Sequence, residues 1–194
     1  MSIQTGDILF RTAINSELSR AINAVTQSGH DYNYTHMGIA TVSNGETYVY
    51  HADPVHGVCC QPLALFRRSD QDQELSVDVF RLRPEHQALI PAALSIAQSL
   101  LGQPYNHSYI IGHEGHYCSE FIYQLFADAG LFTLEPMTFK QADSDTFHPG
   151  WISHYRELQL DIPEGQPGCN PNTMAMSKEL IRQTDHGDHA SALK

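Results

Sequence analysis

The dipeptide Asn44-Gly45 lies between two β-forming runs, residues 35–42 and 47–52, and this pattern most narrows the folds open to the chain. Asn and Gly accept the positive φ angles that a two-residue hairpin turn demands, so the segment predicts a tight antiparallel hairpin. Residues 6–11 read as an early strand, and residues 58–62 and 77–82 as two more. Residues 63–68 read as a helical turn between those two.

Around these strands the hydrophobic period changes to that of helices. Leu18, Ile22 and Val25 predict a helix over residues 15–26, with Ser16 as its N-cap. Pro84 opens a second helix over 84–101, whose apolar face holds Leu89, Ala93, Ile96, Ala97 and Leu100, and Gly102 stops it. A third, over 119–129, carries Phe121, Ile122, Leu125 and Phe126 and ends at Gly130. Residues 151–160 read as a last strand anchored by Trp151, and 174–182 as a weak helix. Helices flanking antiparallel strands make an α+β fold. From residue 162 the composition turns to Pro, Gly, Asn and polar residues. The expected division is one folded domain over 1–161 and a polar, partly disordered extension over 162–194.

Composition excludes several functions. The 194 residues are 41% hydrophobic and 17% charged, enough for one core and too little charge for a disordered chain. The net charge of −11 argues against a nucleic-acid partner, because phosphates need a Lys/Arg surplus. The longest basic run is Arg67-Arg68, so a polybasic membrane anchor is unsupported. No stretch nears the roughly 18 apolar residues of a membrane span. Residues 1–7 have neither a basic nor an apolar signal-peptide region, so the expected address is the cytoplasm. Four cysteines, two of them the neighbours Cys59 and Cys60, do not make a disulfide framework. The partner implied is a small-molecule or peptide substrate. Oligomeric state is not set by the sequence.

Cys118 carries the most chemistry. It stands at the start of the third helix, where unpaired N–H groups and the helix dipole favour a thiolate. The plain alternative is a buried small hydrophobe. A nucleophilic sulfur needs a base and a group to orient it. His36 opens one hairpin strand and His51 closes the other, so a tight turn brings both to the same end. Their rings share a sheet face only if the register agrees. A rival grouping, His107, His113, His116 and Cys118, offers zinc-type ligands without a recognisable spacing. No metal and no cofactor is expected.

Four segments in this order resemble the circularly permuted, NlpC-type papain-like cysteine hydrolases of the YiiX/YebB-like kind. They are Gly6-Asp7-Ile8-Leu9-Phe10, Tyr34-Thr35-His36-Met37-Gly38-Ile39, Tyr48-Val49-Tyr50-His51-Ala52 and Tyr117-Cys118-Ser119-Glu120-Phe121. Gly102-Gln103-Pro104-Tyr105-Asn106 and Gly168-Cys169-Asn170-Pro171 extend the likeness. The resemblance implies an antiparallel sheet packed against a nucleophile-bearing helix, in a bacterial thiol amidase or peptidase. It implies Cys118 as nucleophile, His36 as general base and His51 as orienting group, where close relatives tend to have Glu. Asp53 is a substitute or supporting partner. Tyr34, Tyr105 and Tyr117 fall at substrate-lining positions. The implied reaction is amide cleavage through a thioester. The alternatives are a lipid-directed thioesterase or acyltransferase of the lecithin:retinol acyltransferase type, and a non-catalytic binding module.

Overall fold

A six-stranded sheet carries the molecule. Along the chain come β1 (Ile8–Arg11), α1 (Glu17–Thr26), β2 (His36–Ser43), β3 (Glu46–Asp53), β4 (Gly57–Pro62), α2 (Leu63–Phe66) and β5 (Val77–Leu82). A 3₁₀ segment (Pro84–Leu89) leads into α3 (Ile90–Ser99), then α4 (Cys118–Leu125), β6 (Glu135–Pro136) and α5 (Pro149–Leu158). The last elements are β7 (Pro167–Gly168), α6 (Pro171–Ala175) and β8 (Leu180–Gln183). This computed structural model describes residues 2–12, 17–26, 33–69 and 71–183. The strand order is β4-β3-β2-β1-β5-β8, antiparallel throughout, with β6 and β7 paired separately. Among the described residues no helix is long and apolar enough to cross a membrane.

The hairpin forms as its turn chemistry requires. Asn44 and Gly45 take φ angles of 52° and 82°, and Ser43 pairs with Glu46. Alternation then sorts the strands into two faces. Ile8, Phe10, Met37, Ile39 and Ala52 enter the main core, where α4 packs with Phe121, Ile122 and Leu125. Leu9, Ala40 and Val49 enter a smaller core on the other face, closed by Phe66 of α2.

Three expectations need correction. The predicted helix over 84–101 is broken: Pro91 lacks an N–H and lies in the first turn of α3, so the preceding turn winds as 3₁₀. The segment expected as a last strand is α5, with Trp151 and Tyr155 one turn apart and buried. His148 caps it, its Nδ1 accepting from Gly150 N–H at 3.1 Å, and Pro149 starts it. Aromatic β-propensity outweighed an i, i+4 spacing in the sequence reading.

The third correction concerns the chain after 161. It is no appendage as far as Gln183: β8 pairs with β5, β7 with β6, and α6 buries Met174 and Ala175 in the main core. A segment rich in Pro, Gly and Asn reads as loop, yet pairing and capping use those same residues. The expected weak helix over 174–182 is instead the end of α6, a turn and β8. Ser16 lies outside the described residues, as does the part of the expected partly disordered extension from residue 184 onward.

Candidate active site

The first two residues of β2 organise the site. His36 and His51 lie on the face of the sheet that carries Phe66, and His36 Nε2 is 2.8 Å from His51 Nδ1. The register of β2 and β3 therefore does bring both rings to one face. Gly38 permits this closeness. A Cβ there would lie 2.6 Å from Val49 Cγ1, 2.9 Å from the Tyr50 carbonyl oxygen and 3.1 Å from His51 Cβ. Phe66 backs both imidazoles, with ring centroids 5.7 Å from His36 and 5.1 Å from His51. On the far side of His51, Nε2 lies 3.5 Å from the Cys59 sulfur.

Charge and burial keep this pair neutral. Burial holds the His36 pKa well below the ordinary imidazole value, and the nearby Arg11 cation and His51 push the same way. Burial likewise lowers His51 to about 4, against the opposing pull of the Asp53 carboxylate. Arg11 pairs with His36 across β1 and β2 and lies over the Phe66 ring, 4.8 Å from its centroid. Its Nη1 donates to the Phe66 and Arg68 carbonyls at 2.5 and 2.8 Å.

Cys118 approaches from the opposite face, as the first residue of α4. The β2–β3 ladder runs only from Ser43↔Glu46 to Ile39↔Tyr50, so the two strands part before Met37. In that gap the Met37 N–H points at the Cys118 sulfur, as do the N–H groups of Ser119 and Cys118. These donors and Arg11 favour a thiolate, but burial outweighs them and pushes the Cys118 thiol up to about 11. The helix-start expectation of a preformed thiolate thus gives way to desolvation.

The helix start is held from behind by Glu120, which is 4% exposed. Its Oε2 accepts from the Tyr117 N–H at 3.2 Å and from Asn106 Nδ2 at 3.0 Å. Asn106 Oδ1 in turn accepts from the Ser108 hydroxyl and N–H. The loop between α3 and α4 is fastened to β4, with Val58 N–H donating to Gln103 O and Gly102 N–H to Val58 O, both at 2.8 Å. Gly57 makes room for it, since a Cβ there would lie 2.2 Å from Gln103 O. Tyr105 is thereby set beside Cys118, whose backbone N–H points at the phenol oxygen.

The sequence model of the permuted papain-like amidase family YaeF/YiiX, C92, matches residues 2–182. The chain belongs to this family. The uncharacterized protein YiiX of Escherichia coli K12 is 28% identical over 144 residues, 72% of this chain. The match spans 66% of that relative's length. A crystal structure of YiiX from Escherichia coli O157:H7, titled a metalloprotein, superposes with TM-score 0.70 at 24% identity. That likeness covers 93% of this chain and 96% of the other, and it shows the shared permuted papain-like fold. The family is one of permuted papain-like amidases, and this chain shares its fold. Among its described residues no group of three or more His, Cys, Asp or Glu is disposed to hold a metal ion. His113 instead meets the Ser108 hydroxyl at 2.9 Å, and His116 lies 4.0 Å from Glu120.

The C92 fold distributes the remaining expected residues unevenly. Asp53 caps a turn: its Oδ1 accepts from the N–H groups of Val55 and His56 and meets the His56 ring at 2.9 Å. It influences His51 by charge, while the ring contact of His36 is with His51. Tyr34 lies in the core between Phe10 and Phe80, its hydroxyl donating to Asp78 at 2.7 Å. Its neighbour Thr35 lines the cavity beside Cys118 instead. Tyr105, Tyr117 and Cys118 all line that cavity, whose volume is about 260 Å³. Most of its wall comes from beyond Leu134, including Met137, Trp151 and Cys169. Arg11, Phe66 and Gly38 had no role in the sequence reading; the Gly at the centre of an otherwise β-branched and apolar strand was the available signal.

Proposed function

We propose that the chain is an amidase in which Cys118 is the nucleophile, His36 the general base and His51 the orienting group. The observation that supports this best is the 2.8 Å His36–His51 contact beside Met37, whose N–H meets the Cys118 sulfur. With His36 Nε2 committed to His51, Nδ1 is the nitrogen left to take the thiol proton. That tautomer puts the His36 Nε2 proton between the rings, accepted by His51 Nδ1, and the one His51 ring proton on Nε2, toward Cys59.

In the first step the Cys118 sulfur bonds to the amide carbon while its proton passes to His36. The Cys118 N–H and the Tyr105 hydroxyl hold the oxyanion. Burial keeps that phenol protonated, as a donor must be. The C–N bond breaks, His36 returns the proton to the leaving amine, and a thioester remains. Water, deprotonated by His36, then releases the acid and restores the thiol. Tyr117, whose hydroxyl accepts from Cys169 N–H at 3.3 Å, and Asp53 shape the surroundings without entering the bond changes. All four cysteines are free thiols, in keeping with the bacterial cytoplasm that we assign as the compartment.

Amide hydrolysis by wild type, Cys118→Ala and His36→Ala tests the reading. Each variant is expected to lose at least about 10³-fold in kcat with an unchanged circular-dichroism spectrum. Full activity in Cys118→Ala would discard the mechanism.

A further inference from the structure

His51 can meet His36 in two ways, and only one of them leaves a working base. An imidazole, unlike a carboxylate, accepts a hydrogen bond only at the nitrogen that carries no proton. With the His51 proton on Nε2, its Nδ1 accepts from His36 Nε2–H across the 2.8 Å contact, and His36 Nδ1 carries no proton. With the His51 proton on Nδ1 the contact reverses. His36 Nε2 then becomes the acceptor, and the neutral His36 ring holds its proton on Nδ1. The nitrogen that should receive the thiol proton is already occupied. Whatever fixes the His51 proton therefore decides whether His36 is a base.

Strand β4 reaches the nitrogen in question. In the β3–β4 ladder Cys59 lies opposite His51 and Gln61 opposite Val49, so both side chains stand on the face that holds the His51 ring. The Cys59 sulfur lies 3.5 Å from His51 Nε2. Burial pushes this thiol up to about 11, and the Asp53 carboxylate adds to the effect, so the sulfur is neutral and a weak acceptor. The Gln61 side chain also hydrogen-bonds the His51 ring, in the sense that favours its N–H, which makes the amide oxygen the acceptor. His51 Nδ1 is taken by His36, so Nε2 is the nitrogen left for it. His51 is 1% exposed, and its second N–H depends on protein acceptors rather than on water.

We propose that Gln61, with Cys59 beside it, is a positioning residue of the amidase: its amide oxygen holds the His51 proton on Nε2 and thereby keeps His36 Nδ1 open to the thiol proton. The proposal rests on the amidase reading and adds to it a group from the edge strand. Neither Gln61 nor Cys59 touches the reacting atoms. The charged and titratable groups facing His51 include His36, Arg11, Asp53, His56 and Cys59. Gln61 is neutral, so replacing it by Leu moves the proton without altering the charge around the ring.

Two measurements test this. The first needs no turnover. Long-range proton–nitrogen NMR spectra of enzyme labelled with 15N-histidine report which ring nitrogen is protonated, and His51→Ala identifies the His51 signals. At neutral pH wild type is expected to carry the His51 proton on Nε2. The Cys59→Ala, Gln61→Leu double variant should shift it wholly or partly to Nδ1. The second is hydrolysis of acyl 4-nitroanilides. Gln61→Leu should lower kcat at least about tenfold with KM within about twofold, because the wrong tautomer disables the base without touching binding. Gln61→Glu, whose carboxylate accepts the same proton, should restore most of that kcat and move the acidic limb of kcat/KM to higher pH. A merely structural role for residue 61 would give neither the rescue nor the shift. A His51 proton on Nδ1 in wild type, or on Nε2 alone in both proteins, would overturn the proposal, as would wild-type kcat in the double variant. A proton that moves with Gln61 in an enzyme that leaves the nitroanilides intact would keep the positioning role and count against the amidase reading.

Discussion

The ring of His51 stands at 87° to the ring of His36, their centroids 5.0 Å apart, with a nitrogen of each at hydrogen-bond distance. Edge-on geometry of this kind fixes the base's rotation about its ring axis, which is what an orienting group has to do. A carboxylate in the same place would add charge stabilisation of the imidazolium. A neutral imidazole orients without adding it.

His51→Glu is therefore expected to raise the His36 pKa, because a carboxylate favours the charged ring that burial now disfavours. The acidic limb of the kcat/KM profile should move to higher pH in this variant. His51→Ala should instead lower kcat by about 10²-fold or more, with its acidic limb not raised. An acidic limb identical in wild type and His51→Glu would show that residue 51 does not govern the base.

Alkylation of Cys118 separates a neutral thiol from a preformed thiolate. With its pKa pushed up to about 11, the free enzyme holds little thiolate near neutrality. The rate of modification by iodoacetamide, followed by peptide mass spectrometry, should rise close to tenfold per pH unit from 7 to 9. A pH-independent rate across that range would mean that the sulfur is already ionised and that the helix start dominates burial.

How much of this was legible beforehand differs from element to element. The hairpin was, because Asn44-Gly45 fixes its turn and the turn fixes where His36 and His51 fall. α4 was, because Phe121, Ile122 and Leu125 show its period, although Gly130 closes the 3₁₀ turn that follows and not α4 itself. Phe66 and Arg11 were not: their contacts to the imidazoles are long-range in sequence and depend on which way a short helix folds back over the sheet. Tyr34 was misplaced because a tyrosine one residue from the cavity-lining Thr35 gives no sign of which face its ring takes. The end of the chain was misjudged for a related reason. Strand pairing of β8 with β5 is invisible in composition, and a single-turn helix such as α6 has too few residues to show a period.

Acid should destabilise the fold through the same histidine pair. His51 is 1% exposed and titrates near 4 in the folded state against about 6.5 when unfolded. Below 6.5 the unfolded chain binds a proton that the folded chain refuses, so stability present above that value is lost as the pH falls toward 4. His51 alone accounts for on the order of 3 kcal/mol, and His36 shifts in the same direction. Urea unfolding midpoints should drop between pH 6.5 and 4.5 in wild type. A His36→Phe, His51→Leu double variant should show a visibly flatter dependence. Parallel curves for the two proteins would assign the acid sensitivity elsewhere.

The last prediction concerns Asn172, which is 0% exposed and joins the end of the chain to the entry of β2. Its Oδ1 accepts from the Tyr34 N–H at 2.7 Å, and its Nδ2 donates to Thr26 Oγ1 at 2.9 Å and Asn33 Oδ1 at 2.7 Å. Two of those three bonds hold the two residues just ahead of Thr35 and His36, and the third holds the end of α1. Removing the amide leaves a buried backbone N–H without that partner, a loss of about 2–3 kcal/mol. Asn172→Ala should accordingly lower the thermal midpoint by several degrees. It should also reduce kcat through looser placement of His36, although residue 172 is far from the sulfur in sequence. Truncation after residue 161 removes Asn172 together with β8, and the product is expected to lose cooperative unfolding altogether. A 1–161 fragment that unfolds in one sharp transition with wild-type activity would restore the division of the chain at that point and make the late segment dispensable.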